Sequence, residues 1–158
     1  MEKADRDKLV AQYKDGYRAV ADAVAGASDA ELDTAPAPGK WSPRQIVHHL
    51  ADSEMTSAVR LRLLIGSDRP QIMGYDQDEF ARRLYYQDRP IAASLEAFKA
   101  ARQTTAEILD RLTDVEWQRE GTHSEIGRYT VELWLEIYAV HAHNHAEQIR
   151  KARHKKLG

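Results

Sequence analysis

The stretch YAVHAHNHAEQI, residues 138–149, carries three of the chain's seven histidines, His141, His143 and His145, within five residues. On a helix, His141 and His145 stand one above the other, about 6 Å apart at Cβ, while His143 turns well away. Two stacked imidazoles on an inner helix face can bind a metal, handle protons or fill space. Zinc and its first-row neighbours favour imidazole, and a catalytic site commonly takes three protein ligands and leaves one position for water or substrate. The earlier stretch WSPRQIVHHLADSEM offers a third imidazole from His48 or His49. His49 is the better placed, because it shares a helix face with Ile46 and Ser53, and Ser53 and Ser57 leave room beside it. Spacing alone leaves His48 open.

Histidines on inner faces are more often hydrogen-bonded core residues than ligands, so the pattern does not decide by itself. Two familiar metal motifs fail outright. Ala142 stands where an HExxH protease needs its glutamate, and Ala139 follows Glu136 where a di-iron bundle needs Glu-x-x-His. There are no cysteines, which removes disulfides, thiolate nucleophiles and sulfur-ligated metals together. A metal must therefore sit on His, Asp or Glu, and the remaining pattern is a mononuclear three-His centre.

Helices must position these groups. Leu9, Tyr13, Tyr17, Val20 and Val24 recur at three and four, marking a first apolar face. In the second segment Ser42 is an apt N-cap, Pro43 suits the first helical position and Gln45 completes a capping box; Ile46, Leu50, Ser53, Ser57, Leu61 and Leu64 follow on one face. The third runs through Leu95, Phe98, Arg102, Thr105, Leu109 and Leu112, and the fourth from a Thr130 cap through Trp134, Ile137, His141, His145 and Gln148. No segment carries a sustained strand alternation. The long link GSDRPQIMGYDQDEFARRLYYQDRP is predicted to hold a short helix near Asp78–Leu84. A faint echo, SDAELDTAPAPGKWS before the second helix and TDVEWQREGTHSEIGRYT before the fourth, predicts a capped short helix in each. The expected fold is all-α, an up-down four-helix bundle forming one domain over residues 1–158.

Composition narrows the function classes. A formal charge of −2, with 23 basic and 25 acidic residues, gives no electrostatic case for nucleic acid. The locally basic tail RKARHKKLG reads as a solvated helix end favoured by the helix dipole. No window approaches a membrane span and the start lacks an apolar signal run, so the expectation is a cytoplasmic protein acting on a small molecule, without a membrane partner.

WSPRQIVHHLADSEM followed at a distance by HAHNHAEQI resembles the DinB-like/YfiT four-helix-bundle superfamily. Its pattern is a Trp-Ser helix start, a His before an apolar residue and a late H-x-x-x-H. HHLADSEM and GYDQDEF are closest to the YfiT branch of metal-dependent hydrolases, which includes bacillithiol-type S-transferases. The resemblance implies that His49, His141 and His145 ligate one divalent ion, zinc or nickel. It also implies a hydrolase or a low-molecular-weight-thiol S-transferase, with the thiol as co-substrate, and a homodimer; Arg102 and Thr105, interrupting the apolar seam of the third helix, lend that dimer some support. A non-catalytic metal-binding bundle is the alternative. Where the branch carries a further His, this chain has Glu54, and Asn144 replaces a His of the late motif.

Near the presumed ligands, Asp52 is a candidate second-layer acceptor or base, and Tyr75 a candidate donor to substrate. Asn144 and Gln148 flank the ligand face. Arg60, Arg62, Arg82 and Arg83 could attract an anionic thiol. Trp41 fits a hydrophobic staple, Trp117 the core, and Trp134 the core or the roof of the metal pocket.

Overall fold

The computed structural model describes residues 1–154. In chain order the elements are α1 (Lys3–Val24), α2 (Asp29–Leu32), α3 (Pro43–Gly66), β1 (Gln71–Ile72), α4 (Gln77–Arg83), α5 (Ala92–Leu109), α6 (Asp114–Trp117), β2 (Glu120–His123), β3 (Gly127–Thr130) and α7 (Val131–His154). The helix starts are where local chemistry puts them. Ser42 and Gln45 form the expected capping box on α3, with Pro43 at the first helical position. Ser28/Glu31 and Thr113/Glu116 make matching boxes on the one-turn helices α2 and α6, so the echo in the sequence is an echo in structure. The short helix expected in the long link is α4, capped by the Asp76 carboxylate accepting from the amides of Asp78 and Glu79.

The four long helices are α1, α3, α5 and α7, and they form the four-helix bundle. Side-chain pairs fix their directions. Met1 reaches Glu132 and Arg150 reaches the Ala19 carbonyl, so α1 and α7 run parallel. His48 meets Ser94 and Arg62 meets Thr105, so α3 and α5 also run parallel. His49 meets His141 while Trp134 donates to the Ser57 carbonyl, which makes α3 antiparallel to α7. The order is therefore up, down, down, up, and α1 packs between α7 and α5 with α3 diagonally opposite. A strictly alternating bundle is joined by short turns, whereas here the link from residue 67 to residue 91 is long enough to return the chain to the other end.

Among the described residues three strands accompany the bundle, contrary to the expectation of none. β2 is central, parallel to β1 and antiparallel to β3. β1 has two residues and β2 and β3 four each, too short for an alternation to register. Gly121 is obligatory in this sheet, because a Cβ there would lie 2.4 Å from the Pro70 carbonyl oxygen. Gly16 plays the same part between helices, where an added Cβ would meet Ala142 Cβ and the Arg102 guanidinium at 2.8 Å.

The apolar faces read from sequence build a continuous interior. Tyr13, Leu61, Leu64, Trp134 and Leu135 centre one half, and Val20, Ile46, Leu50, Phe98 and Ile149 the other. The basic tail is not simply a solvated end. Arg150 and Arg153 donate to the carbonyls of Ala19, Ala23 and Ala25, supplying cations to the C-terminal end of α1; Lys155–Gly158 lie outside the described residues. Among the described residues no helix is long and apolar enough to cross a membrane.

Candidate metal centre

The antiparallel packing of α3 on α7 brings His49 against the pair His141 and His145. One ligand atom from each of the three lies within 4.8 Å of the others. His49 Nε2 is 3.3 Å from His141 Nε2. Zinc–nitrogen bonds at tetrahedral angles place two ligand nitrogens about 3.3 Å apart, so this pair already has the spacing of a shared ion. The rings meet edge to face, with centroids 5.3 Å apart for His49–His141, 4.9 Å for His49–His145 and 4.6 Å for His141–His145.

Hydrogen bonding accounts for only part of this cluster. His145 Nδ1 donates to Gln148 Oε1 at 2.9 Å, one turn on, which leaves the Nε2 lone pair facing its neighbours. Among the described residues, the Nδ1 atoms of His49 and His141 are buried without a partner. Core histidines kept for packing normally have both ring nitrogens satisfied, whereas His49 and His141 spend one nitrogen on each other and leave the second without a partner among the described residues. The donor set, three imidazoles and no thiolate, suits a divalent first-row ion.

Burial, reinforced by the neighbouring imidazoles, holds His49 at about 3 and His141 at about 2. Burial also lowers His145, against the opposing pull of its bond to Gln148. All three are neutral at pH 7, the form that ligates metal. A stability consequence follows. The unfolded imidazoles protonate below about pH 6.5, whereas folded His49 and His141 refuse the proton until about 3 and 2, so stability is whole above pH 6.5 and is lost as pH falls through that window. At pH 5 each imidazole costs about 2 kcal/mol. Urea denaturation of the metal-free protein is expected to show about 4 kcal/mol less stability at pH 5 than at pH 7; equal stability would contradict these assignments.

The structure separates the other candidates. His48 faces away from the cluster, bonded to Ser94 Oγ at 2.7 Å and the Arg89 carbonyl at 2.9 Å, so the choice between neighbours falls on His49. His143 turns to α1 and donates to the Gln12 carbonyl. Asp52 is half-buried and accepts from the Tyr86 hydroxyl at 2.5 Å, outside the converging ligand atoms. Tyr75 packs on Phe80, lies 5.7 Å from the Arg60 guanidinium and hydrogen-bonds Ser53, one turn below His49; burial raises its pKa. Asn144 is exposed. Arg82 and Arg83 pair with Glu79 at the surface, and Arg62 bonds within α3 and to Thr105. Of the four arginines only Arg60 turns inward beside Tyr138, whose ring lies 5.8 Å from His141.

Trp41 does more than staple a helix start. Its ring packs 4.9 Å from His49 and walls a cleft of about 910 Å³, which Ile46, His145, Gln148 and the loop of Pro36 and Lys40 also line. The aromatic residue eight positions before His49 was the available signal, but only the folded loop shows that it faces the site. Trp117 is core. Trp134 is core, its ring tilted against those of Tyr13 and Tyr138, and it does not line the cleft.

The chain is similar to known proteins over most of its length. Residues 12–149 match the family model of the DinB superfamily. A candidate metal-dependent hydrolase from Oceanobacillus iheyensis is 32% identical over 143 residues, covering 90% of this chain and 83% of that protein. The candidate metal-dependent hydrolase YfiT of Bacillus subtilis is 30% identical over 148 residues, covering 93% and 83%. The solved structure of YfiT, described as having an unusual four-helix bundle topology, superposes with a TM-score of 0.92 at 28% identity, over 99% of this chain and 90% of that one. These likenesses and the three-histidine cluster together support a metal-dependent function. With its bundle, its paired capping boxes and its histidine cluster in place, the chain belongs to the DinB superfamily.

Proposed function

We propose that the protein is an enzyme with one divalent ion, zinc or nickel, held by His49, His141 and His145, and that it activates a small nucleophile for attack on an electrophile in the adjoining cleft. The nucleophile is a low-molecular-weight thiol, for an S-transferase, or water, for a hydrolase. The observation that carries this reading is the convergence of three neutral imidazoles where the Trp41 cleft meets α7. A divalent ion supplies a Lewis acid that brings the pKa of a held water or thiol toward neutrality.

The chain's own groups do the rest. Gln148 fixes the ring of His145, and Trp41 and Ile46 give the electrophile an apolar wall. Asp52 takes the proton released by the nucleophile, its carboxylate steadied by Tyr86. Tyr75, kept protonated by burial, donates to the substrate. The protein works in the cytoplasm as a homodimer, a reading supported by Met55, Val59 and Leu63, which recur four residues apart on the exposed side of α3.

The test is turnover by zinc- or nickel-loaded protein of a panel of electrophiles with and without small thiols, beside a panel of esters and amides. Turnover in wild type and none in His141→Ala is the expected result. Full occupancy with no turnover on any panel would leave a metal-binding bundle without chemistry.

A further inference from the structure

Four arginines of the described residues are buried, and three of them are neutralised. Arg6 pairs with Asp114, Arg44 with Asp29 and Asp33, and Arg102 with Glu54. Arg60 is 9% exposed and, among the described residues, has no carboxylate partner. Its guanidinium donates to the Tyr138 hydroxyl at 3.2 Å and to the Met73 carbonyl at 2.7 Å, and its Nε is buried with no partner among the described residues. The Tyr75 ring lies over it and the Tyr129 hydroxyl bonds with both it and Tyr138. An arginine keeps its charge at any physiological pH, so burial without a counter-charge costs several kcal/mol that an anion would offset.

The surroundings say what kind of anion and from where. A guanidinium fork with a free N–H, flanked by phenol hydroxyls, matches the planar oxygens of a carboxylate. The Tyr138 ring that touches Arg60 at its hydroxyl touches His141 at its edge, and Tyr75 bonds Ser53 one turn from His49. We propose that Arg60, with the hydroxyls of Tyr75, Tyr129 and Tyr138, binds a carboxylate of the small molecule that reaches the three histidines. This rests on the reading of that centre as a substrate site and names its substrate class as carboxylate-bearing.

The test uses the full chain stripped of metal, so that a carboxylate cannot ligate an ion, and follows thermal unfolding against propionate and its neutral isostere propionamide at fixed ionic strength. Wild type is expected to be stabilised saturably by propionate and not by propionamide. Arg60→Met should weaken propionate about tenfold or more, and Tyr138→Phe should weaken it less. Equal responses of wild type to the two compounds, or an unchanged propionate response in Arg60→Met, would overturn the proposal. Should Arg60→Met fail to fold, the wild-type comparison and Tyr138→Phe still decide. His141→Ala separates the two readings: it is expected to lose metal and keep the preference for propionate, and a propionate preference in a wild type that takes up no metal would remove the metal centre while leaving the anion site standing.

Discussion

Saturating zinc or nickel is expected to stabilise the wild-type protein by about 4 kcal/mol once the free ion stands near 1,000 times its Kd, and to leave His49→Ala, His141→Ala and His145→Ala nearly unchanged. The ligands are far apart in the chain, His49 lying 92 residues before His141, so unfolded chains offer no comparable site. An ion bridging the three would clamp α3 to α7 and satisfy lone pairs that the metal-free interior leaves crowded together. For a domain of this size the shift amounts to roughly 8–16 °C in Tm. His48→Ala is the contrasting variant. It removes a buried hydrogen-bonded ring and lowers stability, yet its metal-induced shift should match that of wild type. Thermal scans across a metal titration measure both, and a full shift in His141→Ala would contradict the ligand set.

Arg102→Met is expected to cost about 3–5 kcal/mol in urea denaturation. One guanidinium on α5 ties the whole bundle: it donates to the Tyr13 carbonyl on α1 at 2.8 Å, to the Tyr138 carbonyl on α7 at 2.8 Å, and to Glu54 on α3. Glu54 is 1% exposed and also accepts from the Tyr13 hydroxyl. Removing the arginine would strand that carboxylate in the interior, where burial already raises its pKa. Glu54→Gln combined with Arg102→Met should therefore recover part of the loss, because the uncompensated charge goes with it. A cost below about 1 kcal/mol for Arg102→Met would show that the network contributes little beyond packing.

That network marks where sequence reading reached its limit. Periodicity treats a charged residue on an apolar face as an interruption, and on that ground Arg102 and Thr105 lent weight to a homodimer through the third helix. Both are buried, at 2% and 0% exposure, because Glu54 neutralises the arginine from the facing helix. A charge turned inward is legible only when its partner, 48 residues away, is known to be opposite. What could be read was local. Capping boxes need only three residues of spacing, and all of those expected are present. The His141–His145 pair needs one helical turn, and the face shared with Ile46 and Ser53 favours His49 over His48 as its partner without excluding His48.

Helix direction was beyond reach for the opposite reason. It depends on where the long link between α3 and α5 delivers the chain, and the link's β1 gains its partner only from β2, about fifty residues later. Trp41 and Arg60 show the same limit at the site. Each was noted for its local chemistry, a staple and one of four cations for an anionic thiol, and each owes its place, Trp41 against His49 and Arg60 against Tyr138, to elements brought together by the fold.

The most direct test of the metal centre is the number of ions per chain, by mass spectrometry on tag-free protein reconstituted with zinc or nickel and dialysed, for wild type, the three histidine variants and His48→Ala. About one ion per chain in wild type and His48→Ala, with sharp loss in His49→Ala, His141→Ala and His145→Ala, is the predicted result. No retained ion in wild type, or equal retention in all five proteins, would contradict the assignment of these histidines as ligands.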